Sequence, residues 1–342
     1  GDQGVKEQLK NDAKGPDWAP MVTRFQSPIL IRSWLQVATS VIPLLLFGSL
    51  AMRSLAQDTN WTFALALLTS VFLPRVFLIQ HDCGHGSFFK AKWANDVVGS
   101  LCGVLTFTPY YYWRKTHAIH HASSGNLTRR GIGDVYTMTV AEFLRLSRWG
   151  RFKYRCYRHP LLFFLVGPMY LFLLQFRVPL AESRNWKKER SSVWFTNVGI
   201  GTLLFGVHGQ YGTEGLLLLF QIGVVAAPIA VWLFYVQHQF ESVYWSRDGE
   251  WDYKRAALEG SSFYDLPAIL HWFTANIGFH HIHHLSPRIP NYRLQSCHEG
   301  NPELQNVPRL TLLTSLRTIS LSLWDEEQQK MVGFPEVGSA VW

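Results

Sequence analysis

The strongest constraint on the fold is a set of four long apolar stretches that contain no Asp, Glu, Lys or Arg. A helix needs about 20 apolar residues to cross a bilayer. Three of the stretches reach that length with their flanks, and the third along the chain is shorter and rich in glycine. Charged residues make up only 16% of the chain, which argues against an ordinary soluble enzyme. We therefore predict an all-α integral membrane protein with four transmembrane helices, at about 30–52, 61–80, 194–208 and 215–236.

Two further apolar stretches contain helix-breaking residues. Val97–Trp113 carries two glycines and Pro109, and Leu161–Phe176 is centred on Gly167-Pro168. Proline removes a backbone donor and clashes with the preceding turn, so a Gly-Pro pair favours a break in a helix. We predict that each stretch is a re-entrant or interfacial helical hairpin. A full span with a kink is the alternative for each.

The distribution of basic residues predicts the orientation. Between Arg114 and Arg190 there are 15 basic and 4 acidic residues, a net charge of +11. Segments rich in Lys and Arg stay on the cytoplasmic side. We expect a single membrane domain, 1–342, with cytoplasmic termini and a cytoplasmic helical cap formed by 80–193 and 237–342. A bacterial inner membrane, with the active site on its cytoplasmic side, is the predicted location. Within the cap, Val307–Leu323 is expected to form an amphipathic surface helix.

The 14 histidines are concentrated in three clusters. Positions i, i+3 and i+4 of a helix share one face, so each cluster can aim two or three ring nitrogens at one point. His238 adds a candidate at the cytoplasmic end of the fourth predicted span. We assign no metal role to His281, which is the extra histidine of the third cluster. The clusters are His81 and His85, then His117, His120 and His121, then His280, His281, His283 and His284.

Nine candidate imidazoles exceed the needs of one metal. A catalytic zinc takes three protein ligands and a structural zinc takes four. The number suits two metals with five or six ligands each. Imidazole binds iron, copper, zinc and nickel, and iron is the natural choice for activating O₂. Asn276 lies four residues before His280 and could complete one site directly or through a water. The alternative is an amide on a helix surface.

The three clusters resemble the histidine boxes of the membrane fatty acid desaturase family. The resemblance rests on His81–Phe89, His117–His121 and His280–His284, in that order and spacing. It is closest to the bacterial acyl-lipid branch, through Thr116 and residues 122–135. The family implies a di-iron centre under a cytoplasmic cap, O₂ as co-substrate and a tunnel for the acyl chain. A structure could carry zinc in place of iron. The metal ligands implied are His81, His85, His117, His120, His121, His238, His280, His283 and His284, with Asn276 as an additional one.

Carboxylates near the clusters are candidates for holding the ligand rings, because a metal-bound histidine usually donates its other N–H to a partner. Four acids qualify by their proximity in sequence. They are Asp82, Asp134, Glu241 and Asp265.

The predicted reaction is O₂-dependent formation of a cis double bond in a membrane lipid acyl chain, carried by an acyl lipid or acyl-CoA. The alternative within the superfamily is a di-iron hydroxylase or monooxygenase of lipids, alkanes or carotenoids. A metal transporter would need ionisable ligands inside the spans, and these stretches carry no charge. A zinc lipid hydrolase would leave most of the nine imidazoles unexplained.

Partners are predicted from what the sequence contains and lacks. No dinucleotide fingerprint or P-loop is present, so electrons are expected from a separate donor such as ferredoxin or cytochrome b5. The basic stretch Arg129–Arg190 could dock an acidic electron carrier or contact anionic lipid. We expect no nucleic acid among the partners.

Overall fold

The computed structural model describes residues 18–179 and 185–335, and the described chain is mostly helical. Five helices form the first part of the chain. They are α1 (Ala19–Thr23), α2 (Leu30–Ala56), α3 (Thr62–His85), α4 (Lys92–Leu105) and α5 (Tyr110–Ser123). Strand β1 (Met138–Thr139) precedes helices α6 (Val140–Arg145), α7 (Arg148–Arg158) and α8 (Gly167–Leu173), and a 3₁₀ turn (Gln175–Arg177) follows α8.

The remaining elements begin with one very long helix, α9 (Lys187–His238). Short elements follow it to the end of the described chain. They are α10 (Tyr253–Leu258), β2 (Phe263–Tyr264), α11 (Ala268–Phe273), α12 (His280–Leu285), α13 (Asn291–Glu299), a 3₁₀ turn (Pro302–Leu304), β3 (Arg309–Leu310), α14 (Leu312–Ser315), a 3₁₀ turn (Leu316–Ser320), β4 (Leu323–Asp325) and β5 (Lys330–Val332).

Three helices of the described chain are long and apolar enough to cross a membrane: α2, α3 and α9. Helix α9 has 52 residues, which as one straight rod would extend about 78 Å. It is not straight, because Gly212 has φ 62° and ψ −158°, outside the helical region. Glycine adopts this conformation without steric cost. The break divides α9 into a first arm (187–211) and a second arm (213–238), on which the third and fourth predicted spans fall.

Both arms pack against helices that precede them in the chain. The Ser70 hydroxyl of α3 donates to the Ile222 carbonyl of the second arm at 3.1 Å. In the first arm, Gly199 lies against Val104 of α4. The outer faces stay apolar, with Ile42 62% exposed and Phe205 81% exposed. Large contiguous apolar surfaces are rare on soluble monomers, so this surface fits contact with lipid.

The two predicted hairpins have different structures. Val97–Trp113 contains the end of α4, a turn at 106–109 and the start of α5. The break expected at Gly167-Pro168 is wrong, because the backbone stays helical there. A π-helical turn (Leu162–Val166) precedes α8, and the Gly167 N–H donates to the Leu162 carbonyl five residues back. This wider turn accommodates the missing N–H of proline. The chain instead bends by 60° between Arg148–Arg158 and Leu162–Arg177.

Two small sheets correct the all-α expectation for the cap. β1 pairs in parallel with β4, which pairs antiparallel with β5, and β2 pairs in parallel with β3. The amphipathic helix expected at Val307–Leu323 is wrong. This segment is divided between β3, α14, a 3₁₀ turn and the start of β4. The backbone groups of β3 and β4 bond to distant strands, and tertiary pairing of this kind overrides a local helical pattern.

Close packing of α4 against α5 predicts a large effect of one added methyl group. A Cβ at Gly99 would lie 2.3 Å from the Tyr110 ring, and the Tyr110 hydroxyl donates to the Cys83 carbonyl of α3 at 2.8 Å. We expect Gly99→Ala to destabilise the protein by about 1–3 kcal/mol, as overpacking does. Thermal unfolding in detergent measures this. Gly201→Ala is the control, since no atom lies within 4 Å of its added Cβ; equal losses in both variants would contradict the packing argument.

Candidate metal centre

Four segments bring nine imidazoles together. The last turn of α3 supplies His81 and His85, and α9 ends at His238. Three more histidines come from α5 and three from α12. Most of these side chains are buried, and three of their ring nitrogens have no hydrogen-bond partner among the described residues: His85 Nε2, His121 Nδ1 and His280 Nδ1. The histidines from α5 and α12 are His117, His120, His121, His280, His283 and His284.

The imidazoles form two separate groups of four. In each group, one ring nitrogen from every histidine lies within 4.8 Å of the others. The first group draws on α3, α5 and α12, and the second on α5, α9 and α12. The first group is His81, His85, His117 and His283, and the second is His120, His238, His280 and His284.

The spacing of the Nε2 atoms fits coordination of a metal. His280 and His238 are 2.9 Å apart at Nε2, and His117 and His81 are 3.2 Å apart. Nitrogens bound to one ion at about 2.0–2.1 Å lie roughly 2.9 Å apart at right angles and about 3.4 Å apart in a tetrahedron. The observed separations fall in this range.

Hydrogen bonds at the Nδ1 atoms of two rings determine whether their Nε2 atoms can bind a metal ion. His238 Nδ1 donates to the Gly260 carbonyl at 3.1 Å, and His120 Nδ1 donates to the Asp134 carboxylate. In neutral rings this leaves both Nε2 atoms unprotonated, and they face each other at 3.2 Å. Two lone pairs at this distance repel unless a cation lies beside them. The donor set therefore fits a metal ion.

Burial keeps the imidazoles in the neutral form that binds metals. It lowers the pKa of His117 and His283 well below the usual value, and neighbouring imidazoles lower it further. The same cause, in the same direction, acts on the pKa of His121, His280 and His284.

His121 lies between the two groups. Its Nε2 is 3.1 Å from His117 Nε2 and 3.0 Å from His283 Nε2, both in the first group. Its ring stacks on His284 of the second group at 4.1 Å between centroids. His121 is therefore adjacent to both candidate metal positions, and its assignment as a ligand stays a prediction.

Two of the four predicted carboxylates contact ligand rings. Asp82 accepts from His81 Nδ1 at 3.0 Å, and Asp134 accepts from His120. The expectations for Asp265 and Glu241 are wrong. Asp265 pairs with Arg309, and Glu241 is exposed. Proximity in sequence failed for these two because the chain turns away from the site directly after the nearby histidine or strand.

The sequence analysis did not identify two hydrogen-bonding partners that hold the histidines in place. One is the Gly260 carbonyl on His238, for which a sequence has no signal because every residue has a carbonyl. The other is Asn291, at the start of α13. Its backbone N–H and its side-chain amide both donate to Asp82 Oδ2, at 2.6 and 2.8 Å. Asn291 thus connects α13 to the ring of His81 through Asp82.

The remaining candidates lie outside the two groups. His281 Nε2 donates to the Leu304 carbonyl at 3.0 Å, and His281 belongs to neither group. The Asn276 amide donates to the Asn291 carbonyl at 3.3 Å, and its role as a ligand stays a prediction. A small cavity of about 10 Å³ lies beside His120 and His238, close to the volume that admits one water.

Comparison with known proteins identifies the family. The family model described as fatty acid desaturase matches residues 59–310, which include every histidine of both groups. The chain belongs to the fatty acid desaturase family. Its enzymes are oxidoreductases, so the two groups of imidazoles are the candidate metal sites of a desaturase. The resemblance of the three histidine boxes is thereby confirmed.

Several relatives of this desaturase have names that describe a reaction. The fatty acid desaturase of Bacillus subtilis is 44% identical over 314 residues, covering 92% of this chain and 89% of the relative. An sn-1 acyl-lipid omega-3 desaturase (ferredoxin) of Nostoc sp. is 28% identical over 68% of this chain and 65% of its own length. An sn-1 oleoyl-lipid 12-desaturase of Picosynechococcus sp. is 27% identical over 78% of this chain and 76% of its own length.

Proposed function

We propose that the enzyme is a di-iron, O₂-dependent desaturase that introduces a cis double bond into an acyl chain of a membrane lipid. The observation that carries the proposal is the pair of four-imidazole groups, in the second of which the unprotonated Nε2 atoms of His120 and His238 face each other. Two of these relatives are named for acyl-lipid substrates, which favours a lipid over acyl-CoA. The proposed ligands are the nine histidines, with one ion in each group and His121 between them.

Two iron ions, when bound, supply the activation of O₂ and the removal of two hydrogens from neighbouring methylenes. Two electrons and two protons complete the balance, so that O₂ leaves as two waters. The protein holds the rings in place from outside: Asp82, Asp134 and the Gly260 carbonyl fix the tautomers of His81, His120 and His238. A ring held in this way points the lone pair of its Nε2 at the ion, which raises the affinity of the site for that ion.

The electrons are proposed to come from a separate carrier such as ferredoxin or cytochrome b5. One relative is named as using ferredoxin. Helix α7 offers a basic surface, with exposed Arg148 and Lys153 and, beside them, the exposed and stacked rings of Trp149 and Phe152. The charges suit an acidic carrier, and the exposed rings suit the membrane interface.

The proposed topology has four crossings: α2, α3 and the two arms of α9. We propose that the segment Leu162–Arg177 lies along one membrane face and does not cross. Near its start, the Phe163 ring meets the Tyr235 ring edge to face, three residues before His238. At its end, Arg177 donates to Asn197 of the first arm at 2.8 Å. Both ends therefore contact α9 on the side away from Gly212, and we propose that this side and the cap are cytoplasmic, in a bacterial inner membrane.

Cysteine labelling in intact cells tests this topology. In a background with Cys156→Ser, we expect Asp58→Cys and Glu214→Cys to react with an impermeant maleimide. Lys153→Cys and Glu303→Cys should react only after the cells are permeabilised. All four positions are exposed in the structure, so accessibility within the protein does not separate them. Reaction of Lys153→Cys in intact cells would contradict the orientation.

Expression in a bacterial host that has no membrane desaturase tests the function. Gas chromatography of fatty acid methyl esters should show a new cis-unsaturated chain, dependent on O₂ and present mainly in extracted membrane lipids. Hydroxylated chains as the main new product, with no new olefin, would contradict desaturation. Label appearing first in acyl-CoA in a pulse experiment would contradict the lipid substrate.

A further inference from the structure

A second cavity lies beside the metal centre and outside it. Its volume is about 730 Å³, within the range of small-molecule sites. Its walls come from α2, α3, α11 and α13. Asn291 lines this cavity and also donates to Asp82, which accepts from His81. The cavity is thus one side chain away from a carboxylate that holds a proposed ligand.

Three buried donors that line this cavity have no hydrogen-bond partner among the described residues. They are Gln36 Nε2, Arg75 Nε and His271 Nδ1. Their side chains are 6%, 5% and 9% exposed. Buried polar groups are normally satisfied, and leaving one unpaired costs about 1–3 kcal/mol. Three such groups from three different helices, all around one cavity, indicate a ligand with several acceptor atoms.

The proton of His271 can be assigned from its neighbour. The Leu266 N–H donates to His271 Nε2 at 3.3 Å, so Nε2 is unprotonated. Burial lowers the pKa of His271, and a neutral ring therefore carries its proton on Nδ1. The unpaired Nδ1 is a donor, like the amide of Gln36 and the guanidinium of Arg75. All three side chains therefore need a hydrogen-bond acceptor.

Arg75 adds a charge to this requirement. It lies in α3, inside a proposed span, and its guanidinium stacks at 3.9 Å on the Trp272 ring and donates to the Trp272 carbonyl. No carboxylate of the described residues pairs with it. A buried cation without a counter-ion is costly, and an ionisable group inside a span usually marks a functional site. The ligand is therefore an anion.

The other charged side chains around the cavity do not supply the negative charge that Arg75 lacks. Asp265 is paired with Arg309, and Glu299 is exposed, where water and salt screen its charge. Arg32 is exposed and contacts the Tyr292 carbonyl at 3.4 Å, so it adds a second positive charge. Arginine suits phosphate oxygens in particular, because its planar group presents several donors.

We propose that this cavity binds the phosphodiester of a glycerophospholipid, with Arg75 as its charge partner and Gln36 and His271 as donors to its oxygens. The inference rests on the proposed function, since it assigns the head group of the acyl lipid whose chain is desaturated. Held in this cavity, the head group is fixed beside the metal centre. It would thereby limit which carbons of the attached chain reach the site.

Calorimetric titration of the metal-loaded protein, with no electron donor present, tests this site without turnover. The probe is dihexanoyl phosphatidylglycerol below its micelle concentration, compared with dihexanoylglycerol, hexanoate and inorganic phosphate. We expect the phospholipid to bind at least tenfold more tightly than each of the other three. Arg75→Gln should weaken its binding at least tenfold, whereas Arg53→Gln, at the far end of α2, should not change it.

Each other outcome overturns the assignment. Equal binding of dihexanoylglycerol removes the role of the phosphate, and equal binding of phosphate or hexanoate identifies a free anion or a free fatty acid as the ligand. If Arg75→Gln does not fold, Gln36→Leu decides: we expect a threefold or larger loss, and unchanged affinity overturns the proposal. Wild-type protein that binds the phospholipid and yet forms no olefin would contradict the proposed function alone.

Discussion

Replacing His284 with alanine is expected to abolish desaturation and to remove one of two metal ions. His284 Nε2 lies 3.3 Å from His120 Nε2, and its ring contacts those of His238 and His280. Every member of the second group is therefore its neighbour. The loss of activity should exceed the roughly 10- to 100-fold effect of losing an outer partner. The first group should keep its ion, because His284 does not belong to it.

His281→Gln is the matched control for this variant. His281 lies in the same helix, is fully buried and donates to the Leu304 carbonyl, a bond that glutamine can also make. We expect this variant to keep both ions and most of its activity. Metal analysis of the purified proteins and methyl ester analysis of their products give both readings. A His284→Ala protein with two tightly bound ions and more than a tenth of the activity would contradict the second group.

The second large effect is expected at a residue that does not touch the metal. Asp134 accepts from His120 Nδ1 and is buried, so its charge fixes the tautomer of His120 and increases the basicity of Nε2. Asp134→Asn keeps the size of the side chain and removes the charge. We expect the affinity for the second ion to fall about 10- to 100-fold, measured by competition with a chelator, with the first ion unaffected.

Glu241→Gln provides the comparison for Asp134→Asn. Glu241 follows His238 by three residues and is exposed, so removing its charge should change the affinity for either ion by less than twofold. An Asp134→Asn protein that binds the second ion within twofold of the wild-type affinity would show that the Asp134 contact does not support the metal.

The sequence predicted the histidines that the structure brings together, and the packing of helices decided how they divide into two groups. The i, i+3, i+4 spacing suggested that each cluster aims at one point. In the structure, His117 and His120 of α5 belong to different groups, and so do His283 and His284 of α12. His283 and His284 are adjacent and face directions about 100° apart, whereas His117 and His120 share a face but lie about 4.5 Å apart along the helix axis. Which group each ring joins therefore depends on its contacts with α3 and α9. Contacts of this kind are not encoded in local spacing.

The fold, like the site, was predictable where it depends on local sequence and not where it depends on contacts between distant residues. The apolar stretches predicted α2, α3 and both arms of α9, because membrane helices depend on local hydrophobicity. The segment Val307–Leu323 was predicted incorrectly because its backbone bonds to strands 46 to 185 positions away, as in Phe263↔Arg309 and Met138↔Leu323. The unpaired donors of Gln36, Arg75 and His271 were equally invisible, since they come together only when three helices meet.

We propose above that this desaturase works with two iron ions held by two groups of imidazoles. The most direct test of this proposal is reconstitution of the metal-free protein with Fe(II) under anaerobic conditions, followed by transfer to air with substrate lipid and an electron donor. Olefin formation is plotted against the ratio of bound iron to protein. We expect activity to reach its maximum at two ions per chain and a chain with one ion to be inactive. Full activity at one bound ion per chain would contradict it.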